Sequence, residues 1–94
     1  MRVTIVPGSQ VVAVDGYSVH GLDLSSIPQD VHAVQWYGDA GDVEIVDVNG
    51  RMVENRAITS LSDYQTILDY FFAAKRDAEL EEARILEEQS IIEV

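Results

Sequence analysis

His20 and His32 are the side chains best suited to chemistry, and Asp23 and Asp30 lie between them. On adjacent strands, two imidazoles and a carboxylate would form a weak transition-metal site. Their spacing matches no metal signature, and histidines on the face of a strand are the simpler reading, so no metal ligand is assigned. Serines are plentiful enough for a His-Asp-Ser hydrolase, yet no nucleophile elbow surrounds any of them. Carboxylates cluster near the C-terminus, where a solvated helix face is a more ordinary role than an acid–base pair. The glycines stand singly at turn positions, so no phosphate loop is formed. The chain has no cysteine, which excludes disulfides, thiolate catalysis and thiolate metal sites. The expectation is therefore a protein with no catalytic, cofactor-binding or metal-binding residues, working by binding rather than as an enzyme.

The aromatic pair Trp36–Tyr37 is the remaining feature of note. Neighbours on a strand point oppositely. Trp36 is then the core anchor of a small β-domain, and Tyr37 is free to join a partner-binding surface.

The elements around these residues read as α+β: a small antiparallel sheet, a meander or incomplete barrel of about four to six strands, followed by one long C-terminal helix. Val3–Val6 is β-branched and stops at Pro7-Gly8. Gln10–Val14 is a second strand, closed by the hairpin dipeptide Asp15-Gly16. A third runs from Tyr17 through His20 and can extend to Leu24. The stretch from Ser25 to Asp30 is turn chemistry around Pro28. Val31–Tyr37 alternates, with Val31, Ala33, Gln35 and Tyr37 on one face and His32, Val34 and Trp36 on the other. A loop at Gly38–Asp42 leads to a strand at Val43–Val48. Asn49-Gly50 predicts a type I′ turn, and Arg51–Ile58 returns, with irregularity expected at Glu54-Asn55-Arg56.

The pattern changes at Thr59-Ser60. Ser62 and Gln65 match a capping box, with Ser60 and Asp63 as a competing start. Neither Gly nor Pro occurs beyond this point. Leu61, Tyr64, Leu68, Phe71 and Phe72 recur at helical spacing, with Ile67 alongside, and should pack on the sheet. Leu68, Phe71 and Phe72 are the expected anchors. Residues 1–74 thus form the β-domain with the packed first half of the helix, and residues 75–94 an acidic helical arm. Ile67, Phe71, Ala74, Ala78, Glu81, Ile85, Glu88 and Ile92 follow heptad steps that suit a coiled coil, interrupted by Glu81 and Glu88. The arm is either a solvated extension or a docking element. On the docking reading, Tyr37, Ala78, Glu81, Ile85, Glu88 and Ile92 are the partner-binding residues, and a homo-oligomer through the helix is a further expectation.

The net charge is −11, from 17 acidic and 6 basic residues. Residues 1–60 contribute −5 and residues 61–94 −6, so the C-terminal part is the more acidic per residue. Such a charge repels phosphate backbones and argues against direct nucleic-acid binding. It suits solubility, basic protein partners, or mimicry of DNA. The first residues lack the apolar core of a signal peptide, and no apolar run reaches the ~20 residues of a membrane span. Absence of cysteine is compatible with the cytoplasm.

One stretch carries a resemblance. Asp23-Leu24-Ser25, then Val31-His32-Ala33-Val34-Gln35-Trp36, then Gly41-Asp42-Val43-Glu44 resembles a pattern in small tailed-bacteriophage proteins encoded near tail and tail-fibre genes. Residues 58–72 resemble the helix that follows that core, so the likeness covers roughly the first three quarters of the chain. The resemblance implies a tail-fibre assembly factor or chaperone in the host cytoplasm during phage assembly, whose partner is a phage tail fibre or tail protein. A minor tail or baseplate component that stays in the virion is the alternative. An acidic DNA mimic that blocks a host nucleic-acid-binding complex is an alternative of another class. The group supplies no catalytic residues to carry over.

Overall fold

The structure, a computed structural model, describes residues 1–92, with side chains through Glu87. Six strands form one antiparallel sheet: β1 (Val3–Val6), β2 (Val11–Val14), β3 (Tyr17–His20), β4 (Val31–Trp36), β5 (Gly41–Val46) and β6 (Met52–Ile58). Their order is β3-β2-β1-β4-β5-β6, so the sheet is open, with β3 and β6 as its edges. One helix, α1 (Gln65–Ile92), follows. The α+β reading holds.

Local sequence explains most boundaries. Pro7–Ser9 form a 3-10 turn that ends β1, and Gln10 closes it in the left-handed region. Asp15 and Gly16 have φ of 50° and 85°, the paired positive values a type I′ hairpin needs. The Asp15 carboxylate accepts a hydrogen bond from the Arg2 N–H at 2.8 Å, fastening the N-terminus beside the turn.

The Asn49-Gly50 expectation is corrected. Gly50 has φ of 80° but Asn49 does not enter the left-handed region, so the turn is not type I′. The Asp47 carboxylate accepts from the N–H groups of Asn49 and Arg51 at 2.8 and 3.0 Å, building a wider turn across residues 47–50. β5 also begins two residues earlier than expected, at Gly41. A Cβ on Gly41 would lie 2.1 Å from the Gln35 carbonyl oxygen, so only glycine lets β5 start this close to β4. Glu54, Asn55 and Arg56 are paired with Ile45, Glu44 and Val43, and the irregularity falls beside them, between the Glu54 and Met52 rows.

One face of the sheet is the core. Val3, Ile5, Val12, Val14, Val34, Trp36, Val43 and Ile45 are buried there under Ile67, Leu68 and Phe71 of the helix. Leu24 and Ile27, in the connection from β3 to β4, are buried too, although that stretch reads as turn. A bulge between Val31 and Ala33 changes the strand's parity. Strict alternation would put His32 with Val34 and Trp36; the bulge turns His32 to solvent while those two stay inside.

The helix enters through a 3-10 turn at Ser62–Tyr64 rather than through the Ser62–Gln65 capping box. The Gln65 amide donates forward to Asp69 at 2.8 Å, and Ser60 Oγ accepts from the Ser62 N–H at 3.1 Å. Ile67 takes the anchoring role expected of Phe72. Phe72 lies about 100° beyond Phe71 on the helical wheel, is exposed, and instead stacks edge-on against Phe71 at 5.2 Å.

Candidate partner-binding surface

With 28 residues, the helix is about 42 Å long, while the sheet is about 24 Å wide. Near its start Ile67 and Leu68 join the core cluster, and its aromatic contact with the sheet is to Tyr17 on β3. The Phe71 ring meets Tyr17 edge-on, and Lys75 Nζ lies 5.3 Å above the Tyr17 ring. Ala74 and Lys75 are half-buried, and every side chain from Arg76 to Glu87 is exposed. The helix therefore runs off the edge of the body at β3.

Ala78, Glu81 and Ile85 stand on this projecting segment, all exposed. Ala78 and Ile85 continue the face that carries Ile67 and Phe71 in the core, all within about 40° on the wheel. The seam is real as a helix face, but the body covers only its first half. Leu86 lies at the border of the same face and Leu80 nearly opposite; both are more than half exposed, at 58% and 62%. Heptad stepping leaves both out, whereas a plain helical wheel would have flagged Leu86. Glu88 and Ile92 belong to the helical backbone, but their side chains lie outside the described residues.

The charges on this segment are partly paired. Arg84 donates to both carboxylate oxygens of Glu81, and Lys75 Nζ lies 3.0 Å from Glu79. Such exposed pairs contribute about 0.5 kcal/mol or less each to a helix. They matter more for what they present: apolar residues among half-neutralised carboxylates.

Tyr37 stands apart from this segment. It is exposed at the end of β4, with Arg2 Cζ 5.6 Å from its ring centroid, and its N–H donates to the Ala40 carbonyl at 2.9 Å. β2 and β1 intervene between Tyr17, where the helix leaves, and the strand bearing Tyr37, a separation of about 14 Å. Tyr37 and the projecting segment, expected to act together, thus lie apart.

The two histidines do not meet. β3 and β4 are not neighbours, so His20 and His32 are also about 14 Å apart across two strands. Among the described residues no group of three or more His, Cys, Asp or Glu could hold a metal ion. Asp23 binds its own loop: Ser25 donates from both Oγ and N–H, at 2.6 and 3.0 Å, and these bonds hold the Asp23 carboxyl below the usual carboxylate range.

A cleft of about 620 Å³ opens between that loop, β5–β6 and the start of the helix, with Arg56, Asp63, Tyr64 and Tyr70 on its walls. Burial pushes the Tyr64 phenol up, Asp63 adds to this, and Arg56 opposes it. Asp23 and Ser25 also line the cleft, joined by the Ser25 Oγ–Asp23 hydrogen bond within their own loop. Among the described residues no helix is long and apolar enough to cross a membrane. No family model, curated protein or solved structure matches the chain.

Proposed function

We propose that this chain is a bacteriophage tail-region assembly protein, a tail-fibre assembly factor or chaperone that acts by protein–protein binding. The observation that carries the binding part is the helix that outruns its own sheet and leaves Ala78, Ile85 and Leu86 exposed on one side. An isolated helix gains little from such residues, whereas a groove on another chain gains from apolar residues two turns apart on one helix face, as Ala78 and Ile85 are. The fibre as partner rests on the Val31–Trp36 segment and its resemblance to phage tail-region proteins. Its strand bulge and buried Trp36 give that segment a structural role in the sheet, which leaves recognition to the surfaces at the helix and at Tyr37.

The pairing of Glu79 with Lys75 and of Glu81 with Arg84 favours a protein partner over DNA mimicry. A DNA mimic needs an unbroken row of free carboxylates spaced like phosphates.

Co-expression with a bacteriophage tail-fibre gene tests the proposal. Soluble, trimeric fibre is expected to increase when the two are made together. Unchanged yield and assembly would remove the chaperone reading. Mass spectrometry of purified virions separates the two tail roles, since a stoichiometric presence there identifies a structural component.

A further inference from the structure

We propose that the protein forms a two-fold symmetric dimer by antiparallel pairing of edge strand β6 with β6 of a second copy, centred on Asn55. The two sheet edges differ. β3 has only four residues, and its first, Tyr17, carries the ring against which Phe71 and Lys75 of the helix pack. β6 has seven residues, all but Ile58 exposed, and contains no Pro, Gly or Lys. Its two charges cancel each other, so this long exposed edge can serve as a template for another strand.

Charge complementarity selects the second copy as the occupant. In a chain of net charge −11, β6 carries one acid and one base, Glu54 and Arg56, on the same face and paired at 2.7 Å. An antiparallel two-fold at Asn55 sets Glu54 opposite Arg56 of the partner subunit, and Arg56 opposite Glu54 of the partner subunit. The two ion pairs then become an alternating ring of four charges. Moving the two-fold by one residue, to Arg56 or to Glu54, sets like charges against each other at the axis. Only the Asn55 register pairs them. It also sets the exposed Val53 against Ala57 of the partner subunit, and Met52 against Ile58 of the partner subunit. The bulge in β6 falls between Glu54 and Met52, outside the central triplet, so the three middle rows remain regular.

Charge reversal tests this in the full chain. Sedimentation is expected to give twice the 10.4 kDa chain mass for the unchanged protein. Glu54→Arg and Arg56→Glu each place like charges across the axis twice, and each should weaken self-association about tenfold or more. Mixing the two variants restores both opposite pairs and should restore the dimer. A monomeric unchanged protein, variants that associate as it does, or a mixture no tighter than its components would each overturn the proposal.

A second readout does not depend on the charged variants folding. The chain has no cysteine. Residues facing each other at the two-fold have Cα atoms about 4.5–5.5 Å apart, within disulfide range. Asn55→Cys should therefore oxidise readily to a covalent dimer, and Ser18→Cys on the β3 edge should not. Equal cross-linking of the two, or none at Asn55→Cys, would contradict the assignment.

Discussion

Phe71 meets Tyr17 edge-on, with ring centroids 6.1 Å apart and planes at 82°. That contact joins the last fully buried residue of the helix to the edge strand over which it leaves. Phe71 is wholly buried between Tyr17 and the sheet, so Phe71→Ala opens a cavity in the core and frees the helix at its exit. A loss of about 3–5 kcal/mol is expected in urea denaturation. Phe72→Ala, on an exposed ring, should cost clearly less.

Gly41→Ala is expected to be as severe as a core deletion, for the opposite reason. The new methyl would fall 2.1 Å from the Gln35 carbonyl oxygen and 2.9 Å from the Trp36 Cα, both backbone atoms that no rotamer change can move aside. β4 and β5 must separate, at a cost of about 3 kcal/mol or more. Gly8→Ala, with nothing within 4 Å of the added atom, should change stability little, and comparing their thermal midpoints checks this.

These two positions also show what the sequence made legible. The strands at Val3–Val6 and Tyr17–His20, the Asp15-Gly16 hairpin and the buried Trp36 follow from β-branched runs and turn dipeptides, which act locally. Gly41 reads as loop in the sequence because its need for no side chain arises from β4, a separate strand. Alternation alone puts His32 with Val34 and Trp36, because a bulge is a pairing event between strands that one strand's sequence does not carry. Helical spacing makes Phe72 an anchor and Ile67 an accessory, whereas the buried arc is set by how deeply the helix sits and takes in Ile67 but not Phe72. The projecting helix segment was legible, because its apolar positions thin out where the acids gather. The β6 edge was not, because strand order cannot be read from one chain's periodicity.

Tyr64 gives a pH dependence. Its folded-state pKa is raised, first by burial, then by Asp63. The fold thus favours the neutral phenol. Its contribution is fully present below the unfolded value near 10 and is lost as pH rises through the higher folded value. Urea midpoints should fall with pH in this alkaline window. Tyr64→Phe should flatten that fall while matching the parent dependence at neutral pH; an identical alkaline slope in the variant would contradict the account.

Leu80→Gln, Ile85→Gln and Leu86→Gln combined should leave the body intact. All three side chains are exposed beyond the sheet edge, so the thermal midpoint is expected to change by no more than exposed substitutions usually produce, about 0.5 kcal/mol each in stability terms. Helical circular dichroism should also be retained, because Gln is a good helix former.

The same triple variant tests most directly whether the overhanging helix decides partner binding. Tagged wild-type protein and the variant would each be co-expressed with the tail-fibre chain, and the co-purifying fibre quantified. Fibre retained by the wild type and lost, by about tenfold or more, from an equally stable variant is the predicted result. Equal retention by both would contradict the claim that binding is decided on the helix beyond β3.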